Sequence, residues 1–113
     1  MIDEKLLQQY YDLLGTEGVG EMYETFADNI GGYLELMQHL VAQRDETETR
    51  RQAHKLKGAC RSVGLHELAS EMELIERQPW QWEELEKRLD AWAKQQPQHQ
   101  AELKRWLVAR GVQ

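Results

Sequence analysis

The sequence predicts an all-α fold, an antiparallel four-helix bundle with an additional short N-terminal helix, on three observations. Leu and Ala total 24 residues against eight Val and Ile, and straight-chain side chains favour helices where β-branched ones favour strands. Only two prolines interrupt the 113 residues. No stretch alternates apolar and polar residues for more than a few positions, and no Asn-Gly or Asp-Gly pair is present to turn a hairpin.

The elements follow in chain order. A first helix is expected over roughly Asp3 to Leu14, with Leu6, Leu7, Tyr10 and Leu13/Leu14 on its apolar face and Gly15 as its stop. Thr16 and the Gly18/Gly20 pair then read as a turn. A longer apolar series from Val19 through Phe26, Ile30, Tyr33 and Met37 to Val41 marks the next helix. Gly31-Gly32 interrupts that series, and two glycines cost a helix about 2 kcal/mol against alanines, so a bend or break is expected there. Asp45 is a good N-cap, with Glu48 three residues on, for a helix over about 46–63 that Gly64 stops. Another begins near His66 with Leu65, Leu68, Ala69, Met72 and Ile75 on one face, and Pro79 ends it. The last section carries Leu85, Leu89, Trp92, Leu103, Trp106 and Leu107. A mid-helix proline costs about 3 kcal/mol, so Pro97 is expected to start a new helix or kink a long one.

Length and charge bound what such a bundle can do. One domain spanning residues 1–113 is expected, since a domain takes about 100–200 residues. A net charge of −6 argues against a nucleic-acid partner. The longest apolar run is four residues, Trp106 to Ala109, far short of the ~20 a bilayer span needs, and no signal-peptide core opens the chain. A single cysteine, Cys60, fits a reducing compartment. These features point to a cytoplasmic domain without membrane contact, expected to be monomeric when isolated.

The segment around His54 departs from this plain pattern. With roughly 100° per residue, Thr49, Gln52, Ala53, Leu56, Ala59, Cys60 and Val63 fall on one arc opposite His54, so the histidine points to solvent. Arg50, Arg51, Lys57, Gly58 and Arg61 share the histidine's side, flanked by Lys55. Six basic residues, the histidine among them, thus crowd the stretch from Arg50 to Arg61 of an acidic chain. Gly58 is costly in an exposed helix interior, and close approach by another surface is the usual reason to keep one. Taken singly, each feature has a plain surface explanation. Together they suit a phosphoryl group on an imidazole nitrogen, which is nucleophilic near neutrality and whose charge Lys57 can offset.

The run His54-Lys55-Leu56-Lys57-Gly58-Ala59, followed by Val63-Gly64, resembles the signature of histidine-containing phosphotransfer (HPt) domains. The likeness is good over roughly Met22 to Glu76 and looser over the last third. Within the family, the stretch to Leu65 and the Pro79-Trp80 turn look most like the C-terminal HPt domains of Arc- and Tor-type tripartite hybrid sensor kinases. The resemblance implies that His54 accepts a phosphoryl group from a receiver-domain aspartate and passes it to a response regulator, with no kinase activity of its own. It implies a phosphoryl-stabilising role for Lys57, receiver access at Gly58, and Glu76 on the imidazole's other nitrogen. If the helices turn at Gly64-Leu65, positions summing to about 130 lie level, and 54 and 76 do so. Arg50, Arg51, Lys55, Arg61 and Leu65 are the expected partner-facing residues. No cofactor is expected in the domain, Mg²⁺ belonging to the receiver; the setting would be the cytoplasm or the cytoplasmic C-terminal part of a membrane-bound sensor kinase. Arg61 and Cys60 stand where the family commonly has small residues, and Cys60 is expected in the core.

Other chemistries fit less well. A carboxylate-bridged metal site needs Glu-x-x-His on two helices, but Leu36, Arg51, Val63 and Gln96 stand three before the four histidines. His66-Glu67 lacks the second histidine of a zinc peptidase. A helical adaptor that binds a receiver or other signalling partner without taking phosphate is the alternative reading.

Overall fold

The computed structural model describes residues 2–113. Four helices make up the fold, with no strand among the described residues: α1 (Glu4–Ala42), α2 (Glu46–Ser62), α3 (His66–Arg77) and α4 (Trp82–Ala109). Around the bundle α1 neighbours α2 and α4, and α3 neighbours the same two. The result is a rod of 43 × 22 × 21 Å. Among the described residues no helix is long and apolar enough to cross a membrane.

The short N-terminal helix is present as the first segment of α1, set off by Gly15, whose φ of 71° and ψ of −176° no other residue type adopts readily. Asp3 caps it by accepting from the Leu6 amide at 3.0 Å. The segment lies across the end of the bundle. The Asp3 amide donates to the Gly64 carbonyl at 2.9 Å, and the Tyr11 hydroxyl donates to the Arg110 carbonyl at 3.3 Å. Only a narrow strip of it touches the core, so Leu7 is buried while Leu13 and Leu14 face solvent. The expected apolar face is therefore narrower than its periodicity implies. Thr16 to Gly20 is helical, and the turn reduces to Gly15 alone.

Neither Gly31-Gly32 nor Pro97 ends a helix, so the break expected at the first and the new helix expected at the second are not found. Gly31-Gly32 lies on the solvent side of α1, and the helix runs through. Ile30 and Met37 are buried on either side, and packing of that face outweighs poor local propensity. Pro97 likewise sits inside a single α4. Pro97 is exposed while Trp92, Gln96, His99 and Leu103 bury the opposite face, so the packed side of the helix is free of the ring.

The boundaries of α2 and α3 agree with the sequence reading. The Asp45 carboxylate accepts from the Glu48 amide at 3.1 Å. Glu48 does not complete the capping box; its carboxylate accepts from Arg51 instead. Gly64, at φ 79°, makes the turn. Ala53, Leu56 and Cys60 of α2 pack with Leu68, Met72 and Ile75 of α3 in the core. Buried Gln52 donates to the Tyr33 carbonyl at 2.9 Å and ties α2 to α1.

Leu65, expected to face a partner, is instead wholly buried at the start of α3. The turn that reverses the chain directs it inward, beneath the first turn of α3. Leu65→Ala should therefore destabilise the fold by about 2–5 kcal/mol, the cost of a large-to-small core change. Urea unfolding checks this; a cost under about 0.5 kcal/mol, typical of surface sites, would return Leu65 to the surface.

Candidate functional site

Burial of Ala53, Leu56 and Cys60 rotates α2 so that His54 emerges midway along it with two-thirds of its side chain exposed. Antiparallel α3 brings Glu76 level with it, as the register about Gly64-Leu65 requires. The Glu76 Oε2 lies 2.9 Å from His54 Nδ1. A carboxylate can only accept, so Nδ1 carries the proton and, in the neutral ring, Nε2 is left with its lone pair.

The second oxygen of Glu76 is also engaged. Lys57 Nζ donates to Oε1 at 2.6 Å and lies 3.9 Å from a Glu73 oxygen. Lys57 is 5% exposed, against the expectation of an open charge beside the histidine. The helical-wheel angle is right, but α3 covers that flank of α2. The lysine stem is buried against it and the ammonium meets two carboxylates. Glu73 was missed in the sequence although 57 and 73 also sum to 130.

Burial pushes the Glu76 carboxyl up, but the hydrogen bonds and charges of Lys57 and His54 outweigh it and hold it below the ordinary carboxylate range. Burial alone pushes the Cys60 thiol up to about 12, as befits a small core hydrophobe.

Gly58 faces solvent, and a Cβ there would find open space. Beside the ring, Arg50, Arg51, His54 and Glu76 line an open hollow of about 370 Å³. The rest of the expected basic rim divides. Arg51 is exposed and donates to Glu48 at 2.8 Å. Exposed Lys55 lies 4.6 Å from the Tyr33 ring centroid, and half-exposed Arg61 reaches only to 3.9 Å from Glu73. Arg50 does not stand free in the rim: it bends to the end of α3, donating to three backbone carbonyls there. Among the described residues no three of His, Cys, Asp and Glu are grouped to hold a metal ion.

The lowered Glu76 pKa has a defined consequence for stability. Its stabilisation is complete above the unfolded-state value of about 4.3 and is lost as pH falls through the lower folded-state value. The stability gap between wild type and Glu76→Gln should thus be largest near neutrality and close as pH falls below the ordinary carboxylate range. Urea midpoints measured at each pH test this, and a gap that ignores pH would refute the carboxylate's role.

The Hpt domain family model matches residues 21–107. The aerobic respiration control sensor protein ArcB of Escherichia coli (strain K12) is 29% identical over 68 residues, 60% of this chain and 9% of ArcB. Sensor protein TorS of Escherichia coli (strain K12) is 30% identical over 78 residues, 69% of this chain and 8% of TorS. The chain thus spans less than a tenth of the length of either relative. No solved structure is a significant match. A family match across most of the chain, in an all-helical bundle, places this protein in the Hpt domain family.

Proposed function

We propose that this domain is a phosphorelay carrier in which His54 Nε2 takes a phosphoryl group from a receiver-domain aspartate and hands it to a response regulator. One observation carries the reading: the Nδ1–Glu76 bond, at 2.9 Å, commits the lone pair to Nε2 on an exposed ring. In the forward step Nε2 attacks phosphorus in line. The N–P bond forms as the aspartyl O–P bond breaks, and the aspartate leaves as carboxylate. The ring keeps its Nδ1 proton and gains positive charge, which the Glu76 carboxylate offsets more strongly than an amide would. The reverse sequence delivers the group to the next aspartate.

In this scheme the domain orients and the receiver supplies the Mg²⁺ and the acidic pocket. Lys57 works through Glu76, holding Oε1 so that Oε2 stays on the ring. Arg51, Lys55 and Arg61 form the basic rim a receiver meets, and complementary charge there favours encounter rate and selectivity. Gly58 leaves room for the receiver one turn from the nucleophile.

The test incubates the chain with a phosphorylated receiver. Wild type should take up acid-labile phosphate and His54→Gln none; no uptake by either would leave an adaptor that binds without chemistry. Lys57→Ala should slow transfer and also lower stability by about 1–3 kcal/mol, because it strips a charged hydrogen bond from a mostly buried carboxylate. Unchanged kinetics would reject its part. Gly58→Glu should act with opposite signs: helix stability rises by a few tenths of a kcal/mol or more. Transfer falls about tenfold or further, since like charge at an interface costs on the order of several kcal/mol. Equal receiver affinity and rate in that variant would argue against close approach at this face.

A further inference from the structure

We propose that Arg50 is a positioning residue for His54, acting through Glu76 rather than on the partner protein. The inference rests on the proposed function for its consequence, but its geometry stands alone. Arg50 is one turn before His54, and charge patterning places it in the partner-facing rim. The structure turns it inward. Its Nη1 lies 3.0 Å from each of the carbonyl oxygens of Ile75, Glu76 and Gln78, and its Nε donates to Glu46 at 3.1 Å.

These carbonyls close the end of α3, where a helix leaves acceptors without intrahelical donors and where a cation is favoured. The Gln78 amide serves Leu74 only. Beyond that point Arg50 takes over, joined by the Trp80 indole, which donates to the Ile75 carbonyl at 2.8 Å. The Arg50 guanidinium lies 4.6 Å from the Trp80 ring centroid, and Trp80 meets Trp82 edge-on at 4.7 Å. The α3–α4 turn is thereby fastened to α2 within one helical turn of the histidine.

Glu76 belongs to that last turn, and a helix end without such donors frays. The carboxylate is thus held from two sides of His54: Lys57 fixes its head group and Arg50 fixes the backbone that presents it. Losing either would free the Nδ1–H bond and with it the preference for a reactive Nε2. Lysine is a poor substitute at position 50, because one ammonium cannot serve the carbonyls, bond Glu46 through a second nitrogen and lay a planar face on the Trp80 indole together.

The experiment uses the 113-residue chain as wild type, Arg50→Ala, Arg50→Lys, Glu76→Ala and the Arg50→Ala/Glu76→Ala double variant. ¹⁵N NMR of the His54 ring, assigned by its absence in His54→Gln, reads the tautomer on unphosphorylated protein. Wild type should be mainly the Nδ1–H form. Arg50→Ala should lose that preference as Glu76→Ala does, with Arg50→Lys between them. Transfer from a phosphorylated receiver should fall about tenfold in Arg50→Ala, the scale on which groups that orient a reactive residue act. It should fall no further when Arg50→Ala is added to Glu76→Ala. A wild-type tautomer in Arg50→Ala, or rate effects that multiply in the double variant, would overturn the proposal. If Arg50→Ala does not fold, Arg50→Lys carries the same comparison. Because the tautomer is read without phosphate, it decides the role of Arg50 even where wild type takes up no phosphate.

Discussion

One carboxylate joins the two helices that make this site. Glu76 stands between His54 Nδ1 at 2.9 Å and Lys57 Nζ at 2.6 Å, so a residue of α3 sets the state of two residues of α2. An exposed histidine without such a partner divides its proton between its nitrogens and turns freely. Here one nitrogen is committed and the other is left open to an incoming group. The arrangement is stable because charges balance locally: Lys57 is buried, yet it faces both Glu76 and Glu73. A buried ammonium without those acceptors would be costly.

The rest of the bundle serves to keep α2 and α3 in register. Leu56 and Cys60 on one helix and Met72 and Ile75 on the other share the core, which fixes the rotation of each. Gly64 makes the reversal and Leu65 seals it from below, so the level of Glu76 against His54 follows from the turn. At the far end of α3, Arg50 and Trp80 close the helix on its carbonyls. The first segment of α1 binds the same α2–α3 turn from outside, through Asp3 to Gly64 and to His66 at 2.7 Å. Much of the framework thus converges on one helical hairpin.

A division of labour follows for a domain of this family. On the proposed reading the chain presents a nucleophile with its tautomer chosen, an uncluttered approach at Gly58 and a few exposed cations. The metal-assisted part of the chemistry belongs, on the proposed reading, to the receiver. On that reading the hollow beside His54 is open because it would meet another protein's surface, which brings the phosphoryl group with it. The same reading explains how an acidic domain carries a local basic rim, since Arg51, Lys55 and Arg61 are placed where an acidic pocket would arrive.

The sequence by itself determined the helices, the buried arc of α2 and the exposure of His54, because these depend on 3.6-residue periodicity and on caps such as Asp45 and Gly64. It also placed Glu76 level with His54, because an antiparallel turn fixes a register that simple addition recovers. It did not determine which cations stay free. Lys57 and Arg50 lie on the outer face of an isolated α2, and only the packing of α3 against one flank decided that both turn inward to its carboxylates and carbonyls. Nor did local propensity decide the fate of Gly31-Gly32 and Pro97. Each sits on the solvent side of a helix whose opposite face is buried, and burial summed over that whole face outweighs a penalty confined to one or two residues.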